Sequence, residues 1–432
     1  MSPPIIGLIG FIVALSLTLL GMPLAISFGT MGFIGIILLR GFEPGLTTLA
    51  SGAYISMANY NLCAAPLFVL MGEFAYYSGI SGDLFTTSYR WFGRLPGGLA
   101  SATTLACTAF AACTGTSVAG AATMGVIAFP EMERFNYDRR LATGCIAAGG
   151  TLGILIPPSI VFIIYGVVTE TSIGDLFIAG VFPGLMLSVF FIALISFRCK
   201  RNPKLGPAGE HFSLKEKFAS LRGTWGMLLL LLLIIGGLYF GVFTPSEAGG
   251  VGAFGAFVIM VARGRLTKTS LFSSIRETTR MTAFLLLVVF GVQLFSSFIT
   301  VSGFPQMIAG WLTDLPIPPL AILGLICCFY IPLGMTMDAV PMILLTMPFV
   351  FPIVQGFGFD PVWFGVVVCV LGEMALITPP VGMNMYVVQG VTKVPIQDVA
   401  LGIMPFALVL LLGVAILFAF PQISLFLPGT MN

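Results

Sequence analysis

Two adjacent prolines, Pro157 and Pro158, sit in the middle of a stretch from Gly149 to Gly166 that carries no charged side chain. A proline in a helix interior removes a backbone donor and clashes with the preceding turn, at a cost of about 3 kcal/mol. In lipid each backbone group freed by such a break must find another partner. A break here therefore has two uses. It lines a hydrated or ion-filled cavity, or it is a kink packed against Ser and Thr of neighbouring helices.

The rest of the chain identifies the solvent as lipid. Of 432 residues, 58% are hydrophobic and 8% are charged, too few charges to cover a water-soluble surface. The apolar residues come in successive runs of about 15 to 25, near the ~20 needed to span a bilayer as a helix. Alternation of period two is absent, which excludes a barrel. The fold class expected is an all-α polytopic membrane protein. The first run, Pro4 to Leu20, has no Lys or Arg before it, so a retained span is expected over a cleaved signal peptide. The cysteines lie mostly inside apolar runs without CxxC spacing and read as small buried hydrophobes. His211, the single histidine, falls in a charged loop, which excludes a histidine metal centre, a bis-His haem and a Ser-His triad. No Walker motif is present, so ATP is not the direct energy source, no cofactor is expected, and no feature points to nucleic acid. The run Gly249-Gly250-Val251-Gly252 reads as close helix packing.

The cations set the topology. They cluster at Arg90/Arg94, Arg134/Arg139/Arg140, Arg198 to Arg222, Arg263 to Arg280 and Lys393, leaving Arg40 alone. Basic loops stay cytoplasmic. Spans are expected over 141–168, 174–197, 223–243, 246–262 and 281–301. Segment 95–133 holds two short apolar stretches, 98–112 and 118–130, with arginines on both sides. It reads as a re-entrant hairpin entered from the cytoplasm, with its tip at Cys113 to Ser117. A second short pair, 319–333 and 339–354, is joined by Gly334 to Asp338 and opens on the far side. The orientation of residues 1–62 stays open, because Arg40 breaks the charge pattern and 44–62 is a candidate for the interface.

The two regions align with each other. Pro157-Pro158 and Pro379-Pro380 are 222 positions apart, and the same shift pairs Phe129-Pro130 with Phe351-Pro352, Asp138 with Asp360, Gly150 with Gly372, Thr114 with Thr336 and Pro183 with Pro405. Related halves of opposite orientation are inverted repeats, and carriers built this way hold substrate and ions near the midplane at broken helices. Each break is expected to face its own hairpin tip. A hard cation such as Na⁺ needs oxygen ligands. The first tip offers Thr114, Gly115, Thr116 and Ser117; the first break offers Gly149, Gly150, Thr151, Gly153, Pro157, Pro158 and Ser159. The second tip offers Gly334, Thr336 and Asp338; the second break offers Gly372, Glu373, Thr378, Pro379, Pro380, Gly382 and Asn384. A single Ser or Thr in a membrane helix commonly bonds only its own backbone, so it is the set that points to a site. Na⁺ is expected through Thr116, Ser117, Thr151, Thr336, Asp338 and Thr378. Carboxylates at this depth, Asp338, Glu373 and Glu73, are functional candidates by default, with helix capping and buried hydrogen bonding as the competing roles.

The stretch "ATGCIAAGGTLGILIPPSIVFIIYGVVTETSIGDLFIAGVFPG" (142–184), preceded by "CTGTSVAGAATMGVIAFPEM", resembles the large membrane subunit of tripartite ATP-independent periplasmic (TRAP) transporters, and the resemblance runs over essentially the whole chain. It implies membership of the ion-transporter superfamily, with two re-entrant hairpins in an elevator domain moving against a scaffold. It also implies a small four-helix membrane subunit, a periplasmic substrate-binding protein that delivers an organic anion, commonly a carboxylate, and sodium as the coupling ion. A chain of this length is expected to hold the large subunit alone. Many relatives carry Ser-Gly-Ser-Ser-Pro or similar at the first tip; here it is Thr114-Gly115-Thr116-Ser117-Val118, which keeps the hydroxyls and leaves the exact ion ligands open.

The expected organisation is scaffold helices over 1–94, the first hairpin, broken helix and following span over 95–197, a cytoplasmic loop and scaffold helices over 198–316, and the second hairpin, broken helix and last span over 317–432. The expected function is the permease subunit of a sodium-coupled importer of a small organic acid in the bacterial inner membrane, in contact with lipid and not an enzyme. A symporter of the same superfamily working without a binding protein, on Na⁺ or H⁺, is the alternative. A membrane transferase is disfavoured, because no charged catalytic cluster stands at a membrane face. Which acid is carried, the stoichiometry and the oligomeric state are not encoded legibly.

Overall fold

Hydropathy marks where a chain meets lipid, whereas capping chemistry marks where a helix begins, and the two differ in this protein. The structure, a computed structural model, describes residues 2–313 and 316–431. Among the described residues the regular elements are all helical. Six helices are long and apolar enough to cross a membrane, or up to seven if one bent pair counts as a single span. Helix Leu214–Tyr239 starts well before the expected 223, because Ser213 and Glu216 form a reciprocal capping box that satisfies otherwise orphaned N–H groups. Helix Lys268–Ser302 likewise starts at Thr267, whose hydroxyl accepts from the Ser270 N–H at 3.0 Å. Residues 268–280, read from charge as loop, are its first turns. Of the two expected basic loops, 202–213 and 263–267 stay outside helices.

The repeat is visible element by element. Gly98–Thr114 and Ser117–Arg134 form the first hairpin, Arg139–Thr151 and Ile160–Thr169 the first broken helix, and Ile173–Arg201 the arm that follows. Pro319–Gly334 and Ala339–Gly356, then Pro361–Ile377 and Met383–Thr392, then Ile396–Ala419 repeat that order. Asp138 and Asp360 are equivalent N-caps: the first accepts from the Leu141 N–H at 3.0 Å, the second from Val362 and Trp363 at 2.8 and 3.0 Å. A carboxylate there is favoured by the free donors and the helix dipole. Ile160 and Met383, which open the second halves of the broken helices, are 223 positions apart, so the link from the Pro-Pro pair to the second half-helix is one residue longer in the second repeat.

The two repeats interlock. Helix Arg139–Thr151 crosses Ile396–Ala419 with backbone on backbone: a Cβ on Gly144 would fall on the Gly402 carbonyl, and one on Gly402 would fall on the Arg140 carbonyl. The Tyr165 hydroxyl donates to the Pro361 carbonyl at 2.7 Å across the repeats, and within the second repeat the Trp363 indole N–H donates to the Leu417 carbonyl at 2.9 Å. Arg140 and Asp398 pair at 2.8 Å on the rim of the same crossing, with Arg140 half-exposed. Exposed pairs contribute little. Arg140→Ala is accordingly expected to lower stability by less than about 1 kcal/mol, read as a small shift of the thermal unfolding midpoint in detergent.

The remaining helices pack beside this assembly. Pro245–Ala262 lies on Ala64–Tyr77, and Leu24–Arg40 on Lys268–Ser302. Small residues make the second contact close: Gly29 meets Gly291, Gly32 meets Phe295 and Gly35 meets Phe298, while on helix Pro3–Leu19 Gly7 meets Ser302 and Gly10 meets Phe298, the packing that membrane interiors favour. Numbers rise together along Leu24–Arg40 and Lys268–Ser302, and in opposite senses along Pro3–Leu19. With the basic end of Lys268–Ser302 in the cytoplasm, Pro3 and Arg40 lie on the far side. That orients residues 1–40 and accounts for Arg40 standing apart from the other cations. Phe42–Met57 joins Tyr60–Tyr77 at a 49° bend.

Candidate functional site

The first hairpin can turn because of one glycine. Gly115 has φ +63°, a left-handed conformation that a side chain disfavours, and a Cβ there would lie 2.9 Å from the Pro158 carbonyl oxygen. Tip and first break are therefore in contact, as the sequence leads one to expect. Thr116 follows in extended conformation as N-cap of Ser117–Arg134, and its side chain makes no capping bond. Its hydroxyl and the N–H groups of the next turn are left for other partners.

The first break winds tightly through buried ground. Residues 151–160 are all buried. Gly153 donates to the Gly150 carbonyl at 3.3 Å, Ile154 to Thr151 at 3.1 Å, and Leu155 and Ile156 to Leu152 at 3.3 and 3.1 Å. Beyond Leu152, the carbonyls of Gly153 through Pro158 take up no backbone donor among the described residues. The Cys369 thiol approaches the Ile154 carbonyl at 3.9 Å. Pro157-Pro158 is cis, and so is Pro379-Pro380. Ser159 then caps the next half-helix, accepting from the Phe162 N–H at 3.3 Å. Gly149 backs onto Cys107 of the hairpin's first helix, and Gly150 onto Ala121 and Ser117 of its second.

The second tip packs on its own broken helix: Gly334 faces Ala375, and Gly372 faces Ala339. Thr336 donates to the Leu333 carbonyl at 2.7 Å, and Asp338 accepts from the Ala339 N–H at 2.7 Å. In the breaks, Thr378 donates to the Met374 carbonyl at 2.5 Å and Thr151 to the Ala148 carbonyl at 2.7 Å. Donating the proton leaves the oxygen lone pairs of these hydroxyls available to a cation. The second break is more open than the first. Gly382 turns it with φ +31°, and Val381, Met383 and Tyr386 are 39%, 45% and 49% exposed.

Two residues depart from the expected pairing. Asn384, grouped by sequence with the second break, reaches the first tip. Its amide donates to the Ser117 hydroxyl at 2.5 Å and to the Ala147 carbonyl at 3.3 Å, while its buried Oδ1 has no partner. Glu373 lies on the second broken helix, fully buried, one turn after Cys369, whose thiol approaches the Ile154 carbonyl of the first break at 3.9 Å.

Between the tips and the neighbouring helices lies a cavity of about 820 Å³, the size of a small-molecule site. Its one wall is the first tip, Thr114 to Ser117, with Val118 to Ile127 of the returning helix, Ile154, Ile160, Asp338 and Val340. Its other wall is Glu73, Tyr76 and Tyr77, with Glu277, Met281 and Phe284 of Lys268–Ser302. It runs from the tips toward the basic end of the molecule. Helix starts at Ser117 and Ile160 present free N–H groups and positive dipole ends. Among the residues that line it, none is Lys or Arg. Sequence reasoning missed the Glu277 wall because the neighbouring arginines read as cytoplasmic loop; the apolar spacing after Met281 extends the helix backward and was the available signal.

Residues 11–423 match the sequence profile of a family described as "Tripartite ATP-independent periplasmic transporter, DctM component". The chain is 37% identical over 406 residues to the C4-dicarboxylate TRAP transporter large permease protein DctM of Pseudomonas aeruginosa, covering 93% of this chain and 94% of that protein. It is 33% identical to the sialic acid TRAP transporter large permease protein SiaM of Vibrio cholerae, with 96% of each covered. Among solved structures, the crystal structure of the Alcanivorax borkumensis YdaH transporter superposes with a TM-score of 0.67 over 98% of both chains at 14% identity, a likeness of fold.

Proposed function

The chain belongs to the family of DctM components of tripartite ATP-independent periplasmic transporters, and from that premise we propose that it takes up a small organic acid into the cell on a sodium gradient. It is a transporter permease of the inner membrane and not an enzyme. The observation that carries the proposal is the cavity between the first tip and Lys268–Ser302, where the half-helix starts at Ser117 and Ile160 meet the hydroxyls of Thr114, Thr116 and Ser117. The acid's carboxylate is placed against the N–H groups at Ser117 and Ile160. One Na⁺ is held by Thr116, Ser117 and Thr151 with carbonyls of the first break, and a second by Thr336, Asp338 and Thr378. The relatives named above carry a C4-dicarboxylate and sialic acid, and a small carboxylate of that range fits the cavity volume.

A periplasmic binding protein delivers the acid, and a small membrane subunit braces the helices outside the repeats. The hairpins and broken helices then move as a unit against Ala64–Tyr77 and Lys268–Ser302, carrying the site across. Sodium supplies the work because its sites and the substrate site share the same tips: a cation in place neutralises the desolvation cost of the carboxylate. Thr116→Ala removes a ligand oxygen from the first site without changing the tip backbone. It is expected to raise the sodium concentration for half-maximal uptake about tenfold, near 1.4 kcal/mol, with maximal uptake largely kept at saturating sodium. An unchanged sodium dependence of uptake in proteoliposomes would remove Thr116 from the site.

A further inference from the structure

Glu373 has a carboxyl group with no visible means of staying in the membrane interior. It is 0% exposed, and neither carboxyl oxygen has a hydrogen-bond partner among the described residues. An unpaired buried carboxylate is among the most costly groups a fold can hold. The segments around it supply no counter-charge: residues 141–197 and 281–392 contain no Lys or Arg. What its helix meets is the first break. One turn earlier on the same helix, the Cys369 thiol approaches the Ile154 carbonyl at 3.9 Å, which sets this part of the helix against the first break. The same segment carries the carbonyls of Gly153 to Pro158, which no backbone donor among the described residues occupies. A buried carboxylate packed on a segment whose carbonyls take no backbone donor is a set of oxygens suited to a hard cation.

The repeat sharpens this. The 222-residue shift pairs Glu373 with Thr151 and Asp338 with Thr116. Both carboxylates thus belong to the second repeat, and the first repeat has hydroxyls at the corresponding places. Asp338 is at the second tip. The first site, left to its own repeat, has only neutral ligands. We propose that Glu373 reaches across the repeat boundary to serve as the counter-charge and oxygen ligand of the sodium ion held at the first break, so that each of the two sites contains one carboxylate. This deepens, and rests on, the sodium-coupled function proposed above.

The test is equilibrium binding of radioactive sodium to the purified complex of the large subunit with its small membrane partner, without substrate. Wild type is expected to bind two ions per large subunit. Glu373→Gln, of nearly the same shape, is expected to bind one, or to bind the first ion at least tenfold more weakly. Asp338→Asn is expected to lose the other, and the double variant both. Glu373→Asp keeps the charge on a shorter arm and is expected to restore part of the first-site affinity, which a purely structural role would not do. If Glu373→Gln does not fold, sodium-dependent thermal stabilisation of Glu373→Asp must fall below that of wild type for the proposal to stand. Two ions bound by Glu373→Gln at unchanged affinity overturn the proposal and leave sodium coupling intact. A wild-type complex that binds no sodium removes the sodium reading itself, and this inference with it.

Discussion

Gly144→Val is expected to prevent the protein from reaching its folded state. Helix Arg139–Thr151 and helix Ile396–Ala419 touch through backbone at this point, and the Cβ of any side chain on Gly144 would occupy the position of the Gly402 carbonyl oxygen. The obstacle is backbone in a helix, not the end of a flexible chain, so relaxation requires the two helices to separate. Separation would withdraw Val399, Ile403 and Phe406, all fully buried, from the surfaces they fill. Overpacking a tight core costs about 1 to 3 kcal/mol where side chains can yield, and here they cannot; about 3 kcal/mol or more is expected. Gly402→Ala meets the Arg140 carbonyl in the same way and is expected to fail as well. The measurement is the fraction of monodisperse protein on gel filtration after extraction in mild detergent. Gly390→Ala, at a glycine with open space around it, serves as the control and is expected to behave as wild type.

Asn384→Leu is expected to abolish transport while leaving the protein folded. The amide of Asn384 joins three segments that the proposed transport cycle moves together: it anchors the second break, the Ser117 hydroxyl at the first tip and the Ala147 carbonyl of the first broken helix. Leucine fills similar space and satisfies none of these groups. Each buried partner left unpaired costs about 1 to 3 kcal/mol, so the tip geometry loses about 2 to 4 kcal/mol of support. At about 1.4 kcal/mol per factor of ten, uptake falls about 30-fold or more. Asn384→Asp removes the donor to the Ala147 carbonyl and buries a charge, and is expected to be as severe. Uptake by proteoliposomes, normalised to reconstituted folded protein, is the readout. Full activity in Asn384→Leu would mean that the cross-repeat link has no part in transport.

The hairpins and broken helices were legible because their punctuation is chemical and repeated: Pro-Pro pairs, Asp caps and Phe-Pro steps recur at one spacing. Helix starts were less legible, since hydropathy begins only where lipid does; Ser213, Thr244 and Thr267 start their helices in polar sequence. The cross-repeat contacts were the least legible. The alignment of Pro379-Pro380 with Pro157-Pro158 groups Asn384 and Glu373 with their own repeat, and only the packing of the two repeats brings one to Ser117 and sets the helix of the other against the first break. The far wall of the cavity was hidden for a related reason. Glu277 stands between Arg276 and Arg280, and its neighbours mark it as cytoplasmic although its helix carries it to the substrate cavity. The orientation of residues 1–40 followed from glycine contacts with Lys268–Ser302, which no charge rule could supply.

The most direct test of the account is uptake of labelled organic acids, C4-dicarboxylates and sialic acid first, into proteoliposomes holding this chain with its small membrane subunit. A sodium gradient is imposed, with and without the periplasmic binding protein. Accumulation that requires both the inward sodium gradient and the binding protein is the result the account predicts. Accumulation that proceeds without the binding protein, or that follows a proton gradient and ignores sodium, would contradict it.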